Sequence, residues 1–381
     1  MLHFTDQEFA RRRAMVETAK NAHELDAVLL FAPESQYWLT GYDTFGYCFF
    51  QCLIVDDHPA TLLTRSADQR QAELTSNVHD IRIWKDQAGA NPAVDLAALI
   101  RDRGLMGKRI GIELDTHGLT AASWRRVEAA LADLVTLVDV SDMLPTLRLV
   151  KSPEEISYVR EAGGLADRAL DAAMNLIARG ADEADIRAAM QGAVFAGGGD
   201  YPGNPFIIGS GDHALLCRYQ SGRRKLAAQD QITLEWAGVS RHYHAAMMRT
   251  VVVGDPRPQH VAMHDAAHAA LLACEAAMQP DQPMADVFAA HADILDQHGL
   301  SEHRLNACGY ALGARYAPSW MEPQMFYEGA TTVMAPGMVF FLHMILMDSD
   351  SGTAMTLGRT SLIGQDGAEP LSQYDLTMLT A

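Results

Sequence analysis

The stretch Gln231–Gly254, QITLEWAGVSRHYHAAMMRTVVVG, constrains the fold more than any other part of the chain. It opens on an alternating strand, with Ile232, Leu234 and Trp236 set against Thr233 and Glu235, and closes on the apolar run Arg249–Val253. Period-two alternation followed by a second strand predicts a β-hairpin, with its turn around Gly238. Glu235 is a carboxylate inside an apolar strand, where a charge must be compensated by cations or hydrogen bonds. His242 and His244, two residues apart on the returning strand, are expected to share a face. An acid, two imidazoles and Arg249 gathered on one hairpin mark a candidate site.

The length of 381 residues allows a large core and favours two domains. A net charge of −18 argues against nucleic acid or an anionic membrane as partner, since both need a basic face. No apolar h-region is present in MLHFTDQEFARRR, and no apolar run reaches the length of a membrane span. The five cysteines, Cys48, Cys52, Cys217, Cys274 and Cys308, are odd in number and lack CxxC spacing. They are expected to be reduced thiols of a cytoplasmic protein, not a disulfide framework or a zinc knuckle.

Along the first part of the chain, helix-like stretches (Asp6 to about His23, Ser66–Ser76, Pro92–Arg101, Leu119–Leu131) alternate with short strands (Ala27–Phe31, Cys48–Val55, Ala60–Thr64, Arg109–Leu114, Thr136–Val138). This alternation predicts an α/β domain over residues 1–148. At Ser152-Pro-Glu-Glu155 the pattern changes: an N-cap serine, a proline at the first helical position and a capping-box glutamate announce a long helix. Two long helices, the hairpin, two further helices and the strands Val339–Met347 and Thr353–Ile363 predict an α+β domain over 149–381.

Several residues carry both a functional and a plain structural reading. The aromatic cluster Tyr37, Trp38, Tyr42, Phe45, Tyr47, Phe49 and Phe50 is either core or the wall of a site; glycines 41 and 46 favour a partly exposed loop. The loop Gly209–Leu226 holds Asp212, His213, Arg218, Arg223 and Arg224. Of its cations Arg218 is the candidate for a buried role, and Arg223 and Arg224 read as solvated charges. His343 in an apolar strand, Tyr310 in CGYALG and Arg359 in LGRTSL are unremarkable alone. For metals, Glu235, His242, His244 and His343 are thin for two ions, which need four or five converging ligands, and leave one ion open.

The order of LRLVKSPEEI, the hairpin ending in RTVVVG, GYALG, APGMVFFL and RTSLIGQDGAEPLS resembles the creatinase/prolidase/aminopeptidase P family, whose catalytic domain has the pita-bread fold. Carried over by position, the five metal ligands of its metal-dependent members fall on Glu235, Ala246, Tyr310, His343 and Gly358. Ala246 and Gly358 have no donor atom, so the resemblance implies no metal and no other cofactor here. APESQYWLTGYDTFGYCFFQC and LEWAGVSRHYHAAMMRT are similar to the family's metal-free ectoine-hydrolysing branch. That resemblance implies opening of a small zwitterionic cyclic amidinium, ectoine or hydroxyectoine, to N-acetyl-diaminobutyrate.

An amidinium already carries positive charge at its electrophilic carbon, so attack creates no oxyanion for a metal to neutralise. Glu235 is then expected as nucleophile or general base. His242, His244 or His343 is expected as proton donor, with Tyr310 bonding the leaving nitrogen or Glu235. Arg218, or else Arg359, would pair with the substrate carboxylate, with Asp212 nearby. Trp38, Tyr42, Phe45 and Phe49 would enclose the ring, from the neighbouring protomer of a homodimer as the family's dimers suggest. The pathway also implies a downstream deacetylase as a functional partner.

Overall fold

The computed structural model describes residues 2–219 and 222–381. The chain divides into two compact units, Met1–Arg148 and Leu149–Ala381. Gln220 and Ser221, within the loop Gly209–Leu226, lie outside the described residues.

The N-terminal unit contains α1 (Asp6–Ala22), β1 (Ala27–Leu30), α2 (Pro33–Thr40), β2 (Cys52–Val55), β3 (Thr61–Arg65), α3 (Gln69–Thr75), β4 (Asp80–Trp84), α4 (Pro92–Asp102), β5 (Arg109–Ile112), α5 (Ala121–Leu131), β6 (Thr136–Asp139) and α6 (Met143–Leu149). Its six strands form one mixed sheet in the order β4-β3-β2-β1-β5-β6. β1 is buried on both sides because successive side chains serve opposite faces. Ala27 and Leu29 join the core under α4 and α5, whereas Val28 and Leu30 join the core under α1, α2 and α6.

The aromatic segment predicted as a loop begins instead as α2, with Pro33 fixing the first turn and Gly41 (φ 82°) ending it. Glu113 anchors that turn by accepting the N–H groups of Phe31 and Ala32, both at 2.9 Å, and the Ser35 hydroxyl. Trp38 and Tyr42 therefore face inward, 1% and 2% exposed, and are core residues with no face left to enclose a ligand. Phe45 and Phe49 are exposed, and the Arg65 guanidinium lies 3.8 Å over the Phe49 ring.

The C-terminal unit contains α7 (Pro153–Met174), α8 (Glu183–Ala196), β7 (Ile207–Ser210), β8 (Asp230–Ser240), β9 (Tyr243–Val253), α9 (Pro258–Ala277), α10 (Met284–Gln297), β10 (Ala307–Leu312), β11 (Met321–Tyr327), β12 (Val339–Asp348), β13 (Thr353–Ile363), β14 (Ala368–Pro370) and β15 (Leu379–Thr380). Seven strands run in the order β11-β10-β12-β13-β9-β8-β7, with β14 beside β13 and β15 beside β9. The capping box forms: Ser152 Oγ accepts the Glu155 N–H and Glu155 accepts the Ser152 N–H. The architecture is the expected α/β domain followed by an α+β domain.

The register shows which face the helices cover. Leu234, Arg249, Leu357 and Met344 are cross-strand neighbours, and Leu357 and Met344 pack into the core beneath α9 and α10. On the same face the Trp236 indole donates to the Ala166 carbonyl of α7 at 2.9 Å. Gly238 explains the misplaced turn. It sits mid-strand where a Cβ would stand 1.9 Å from the Ala162 carbonyl oxygen, so the glycine serves a close strand–helix approach. The turn is at Arg241 and His242, both with positive φ (50° and 65°), as a two-residue hairpin turn of that hand requires.

Candidate active site

On the face away from the helices, Ile207, Glu235, Met248, Gly358 and His343 form one row across β7, β8, β9, β13 and β12. Opposed residues of neighbouring strands project to the same side. Tyr310 on β10, opposite Phe341, flanks this row with its ring 5.5 Å from His343. Tyr310 is on a strand, where neighbouring Gly309 clears the Phe341 carbonyl.

A cavity of ≈730 Å³ lies in front of Glu235 and includes Arg218, Tyr310, Tyr201, Pro318 and Trp320 in its walls. Glu235 is 4% exposed, and among the described residues its carboxylate accepts no hydrogen bond. Burial pushes its carboxyl up to about 7, opposed by the positive charge of Arg218. Arg218 is exposed, and among the described residues it donates one hydrogen bond, to the neighbouring Cys217 carbonyl at 3.0 Å. The Tyr310 hydroxyl accepts from the Trp320 indole at 2.8 Å, and its own proton has no acceptor among the described residues. A cavity floored by a partnerless acid, with a free hydroxyl donor and a guanidinium, suits a ligand that is cationic in one part and anionic in another.

The histidines take different places from those expected. His242 occupies the hairpin turn, its ring stacked 4.2 Å from Tyr316, and does not share a strand face with His244. His244 is buried; its Nε2 accepts the Gly203 N–H at 2.8 Å and its Nδ1 faces the Gly313 carbonyl at 3.4 Å. That pairing fixes a neutral imidazole protonated on Nδ1, and burial lowers its pKa to about 3. His343 is buried, its Nδ1 without a partner among the described residues, and burial lowers its pKa to about 4. Both rings are neutral near pH 7, so neither is a charged proton donor there.

Two expected substrate ligands are committed elsewhere. Arg359 projects to the helix face, where its Nε and Nη2 grip Glu275 of α9 at 2.8 and 2.7 Å. Asp212 lines a separate polar cavity of ≈260 Å³ with Arg224, Asp230, Arg257 and His260. Arg224 is half-buried and paired with Asp230, not a free solvated charge. Arg249 donates to the Met248 and Gly358 carbonyls, pinning β9 to β13 from behind the row.

The wall formed by Tyr201–Pro205 and Ser319–Trp320 was not read from the sequence. Gly203 packs where a Cβ would lie 2.8 Å from the Trp320 nitrogen, and Asn204 Oδ1 accepts the Trp320 N–H at 3.3 Å. The string YPGNP, dense in turn formers just ahead of a buried strand, was the available signal.

A dinuclear metal centre does not fit this donor set. Ala246 and Gly358 offer no ligand atom, and Met248 is the residue beside Glu235 in the row. Among the described residues no group of three or more His, Cys, Asp or Glu side chains is placed to hold a metal ion. The described helices include none long and apolar enough to cross a membrane.

Comparison with known proteins places this frame. The chain is 28% identical to an uncharacterized hydrolase/peptidase of Sinorhizobium fredii, over 98% of this chain and 97% of the relative. It is 26% identical to the ectoine hydrolase of Halomonas elongata, over 98% and 97%. Among solved structures, the prolidase of Thermococcus sibiricus superimposes with a TM-score of 0.89 at 18% identity, covering 99% of this chain and 100% of that one. A dipeptidase of Pyrococcus horikoshii gives 0.86 at 17%, covering 97% and 100%. Residues 12–150 match the creatinase/prolidase N-terminal domain, and residues 157–364 match metallopeptidase family M24, to which this chain belongs.

Proposed function

We propose that this M24 protein hydrolyses a C–N bond of a small cyclic amidinium without a metal, with ectoine the member of that class to which the Halomonas relative points and hydroxyectoine its hydroxylated analogue. The observation that carries the reading is the solitary buried carboxylate of Glu235, at a position whose neighbouring metal-ligand positions hold Ala246 and Gly358.

The bound cation supplies what the apo site lacks. An amidinium opposite Glu235 replaces lost hydration with a full counter-charge and favours the ionised carboxylate. Glu235 then takes a proton from water as the oxygen adds to the ring carbon, which cancels the cation's charge. The C–N bond breaks as the same proton passes from Glu235 to the leaving nitrogen, and the new hydroxyl gives its proton to the freed amine as the amide carbonyl forms. Once the amidinium's charge is cancelled, burial again raises the carboxyl, so Glu235 holds the proton for the second transfer and no charged histidine is needed. Tyr310 donates its unspent hydroxyl proton as a hydrogen bond to the departing nitrogen, and Arg218 receives the substrate carboxylate at the cavity mouth.

Proton NMR of the protein incubated with ectoine, and separately with an Xaa-Pro dipeptide, tests this reading. Appearance of the N-acetyl product supports it. An intact ectoine ring beside chelator-sensitive dipeptide cleavage would replace it with a peptidase.

A further inference from the structure

We infer that the preferred substrate carries a flat apolar arm beyond its amidinium and carboxylate, so that ectoine is a minimal member of the class and not the molecule the cavity is shaped for. The inference rests on the cyclic-amidinium reading. Its basis is a mismatch of size and polarity. A zwitterion of ectoine's size, with about ten heavy atoms, fills roughly 200 Å³ at protein-like packing. The cavity measures ≈730 Å³, so such a ligand leaves well over half of it empty. Among the described lining residues only Glu235 and Arg218 are formally charged, which accounts for the two ends of the zwitterion and no more.

The rest of the wall is mostly apolar, with Gln191, Asn204 and Ser319 as its polar members, and much of it is held in place. Pro202, Pro205, Ile207, Pro318 and Met321 supply aliphatic surface. Trp320 is 1% exposed, with its indole tied to Tyr310 and its backbone N–H to Asn204. His244 anchors the facing loop through Gly203. Tyr201 stands at the opposite extreme, 81% exposed, held edge-on to Phe195 at 4.9 Å, an aromatic ring at the cavity that the described residues leave mostly uncovered. Rigid aromatic and proline walls with few polar groups recognise a flat apolar substituent at low entropic cost.

Calorimetric binding of two amidinium probes to the full-length protein tests this directly. 3-Phenylpropanamidine is expected to bind about tenfold or more tightly than acetamidine, because burial of the phenyl arm adds to the shared charge pair. Tyr201→Ala, a surface change that does not threaten folding, is expected to cut that advantage by about threefold or more. Equal binding of the two probes, or an advantage that Tyr201→Ala leaves intact, would overturn the inference and leave the amidinium reading standing. If neither probe binds, the amidinium reading fails and the inference falls with it.

Discussion

Glu235 and His343 stand in the same cross-strand row, three strands apart, with only Met248 and Gly358 between them. At ordinary strand spacing their backbones are about 14 Å apart. No side chain between them bears a nitrogen or oxygen donor, so two metal ions have nothing to bridge. What the row leaves is one acid facing a cavity, Glu235, and the proposed chemistry is assigned to it.

Replacing Glu235 with Gln should lower kcat by about 10³-fold or more while the fold persists. The stability effect has a defined sign. The carboxyl is raised from 4.5 to about 7, so its contribution is fully present below about 4.5 and lost as pH rises through about 7. Above that, the wild-type protein holds a buried charge costing up to about 3 kcal/mol. Denaturant unfolding at pH 8 should therefore find Glu235→Gln more stable than wild type. A less stable variant at pH 8 would mean that the carboxylate has a partner in the folded state.

The pH–rate profile follows from the same group. We expect kcat/KM to rise about tenfold per pH unit up to about 7 and then level off. In kcat the limb should move to lower pH, because the bound cation favours ionised Glu235. A limb near 4 in kcat/KM would instead point to His343.

His244 should behave as a positioning residue. Ala at this position orphans the Gly203 N–H behind the cavity wall and should cost about 1–3 kcal/mol, with a rise in KM larger than the fall in kcat. Its pKa is lowered from 6.5 to about 3, so its contribution is present above 6.5 and lost as pH falls toward 3. Thermal unfolding between pH 7.5 and 5 should show a shallower acid loss in His244→Ala than in wild type.

Arginines 218 and 359 can be told apart by what each variant changes. Arg359→Ala strands the buried Glu275 carboxylate and should destabilise by about 3 kcal/mol or more. Arg218→Ala should barely change stability and raise KM for a carboxylated amidinium about tenfold or more. The reverse pattern would return the substrate-binding role to Arg359.

Much of the fold was legible where local signals agreed. Ser152-Pro-Glu-Glu155 announced α7, and the alternation around Glu235 announced β8. The misreadings have physical causes. Gly238 looked like a turn because sequence cannot show the Ala162 carbonyl pressed against it, while Arg241-His242 lacks the usual turn residues. Trp38 and Tyr42 looked like a binding wall because one string holds both core and exposed rings, Phe45 among the latter. Arg359 was ambiguous because strand parity, which sends it to Glu275, depends on a register set by distant partners. The cavity wall at Trp320 depends on loops 116 residues apart in sequence, beyond any local pattern.

The most direct test is ectoine ring opening by protein stripped of metal, with the metal content verified, before and after addition of Mn²⁺ or Co²⁺. We expect the stripped protein to retain its rate within about twofold and added metal to leave it unchanged. Loss of turnover on stripping, with recovery on adding the ion back, would contradict a mechanism resting on Glu235 alone.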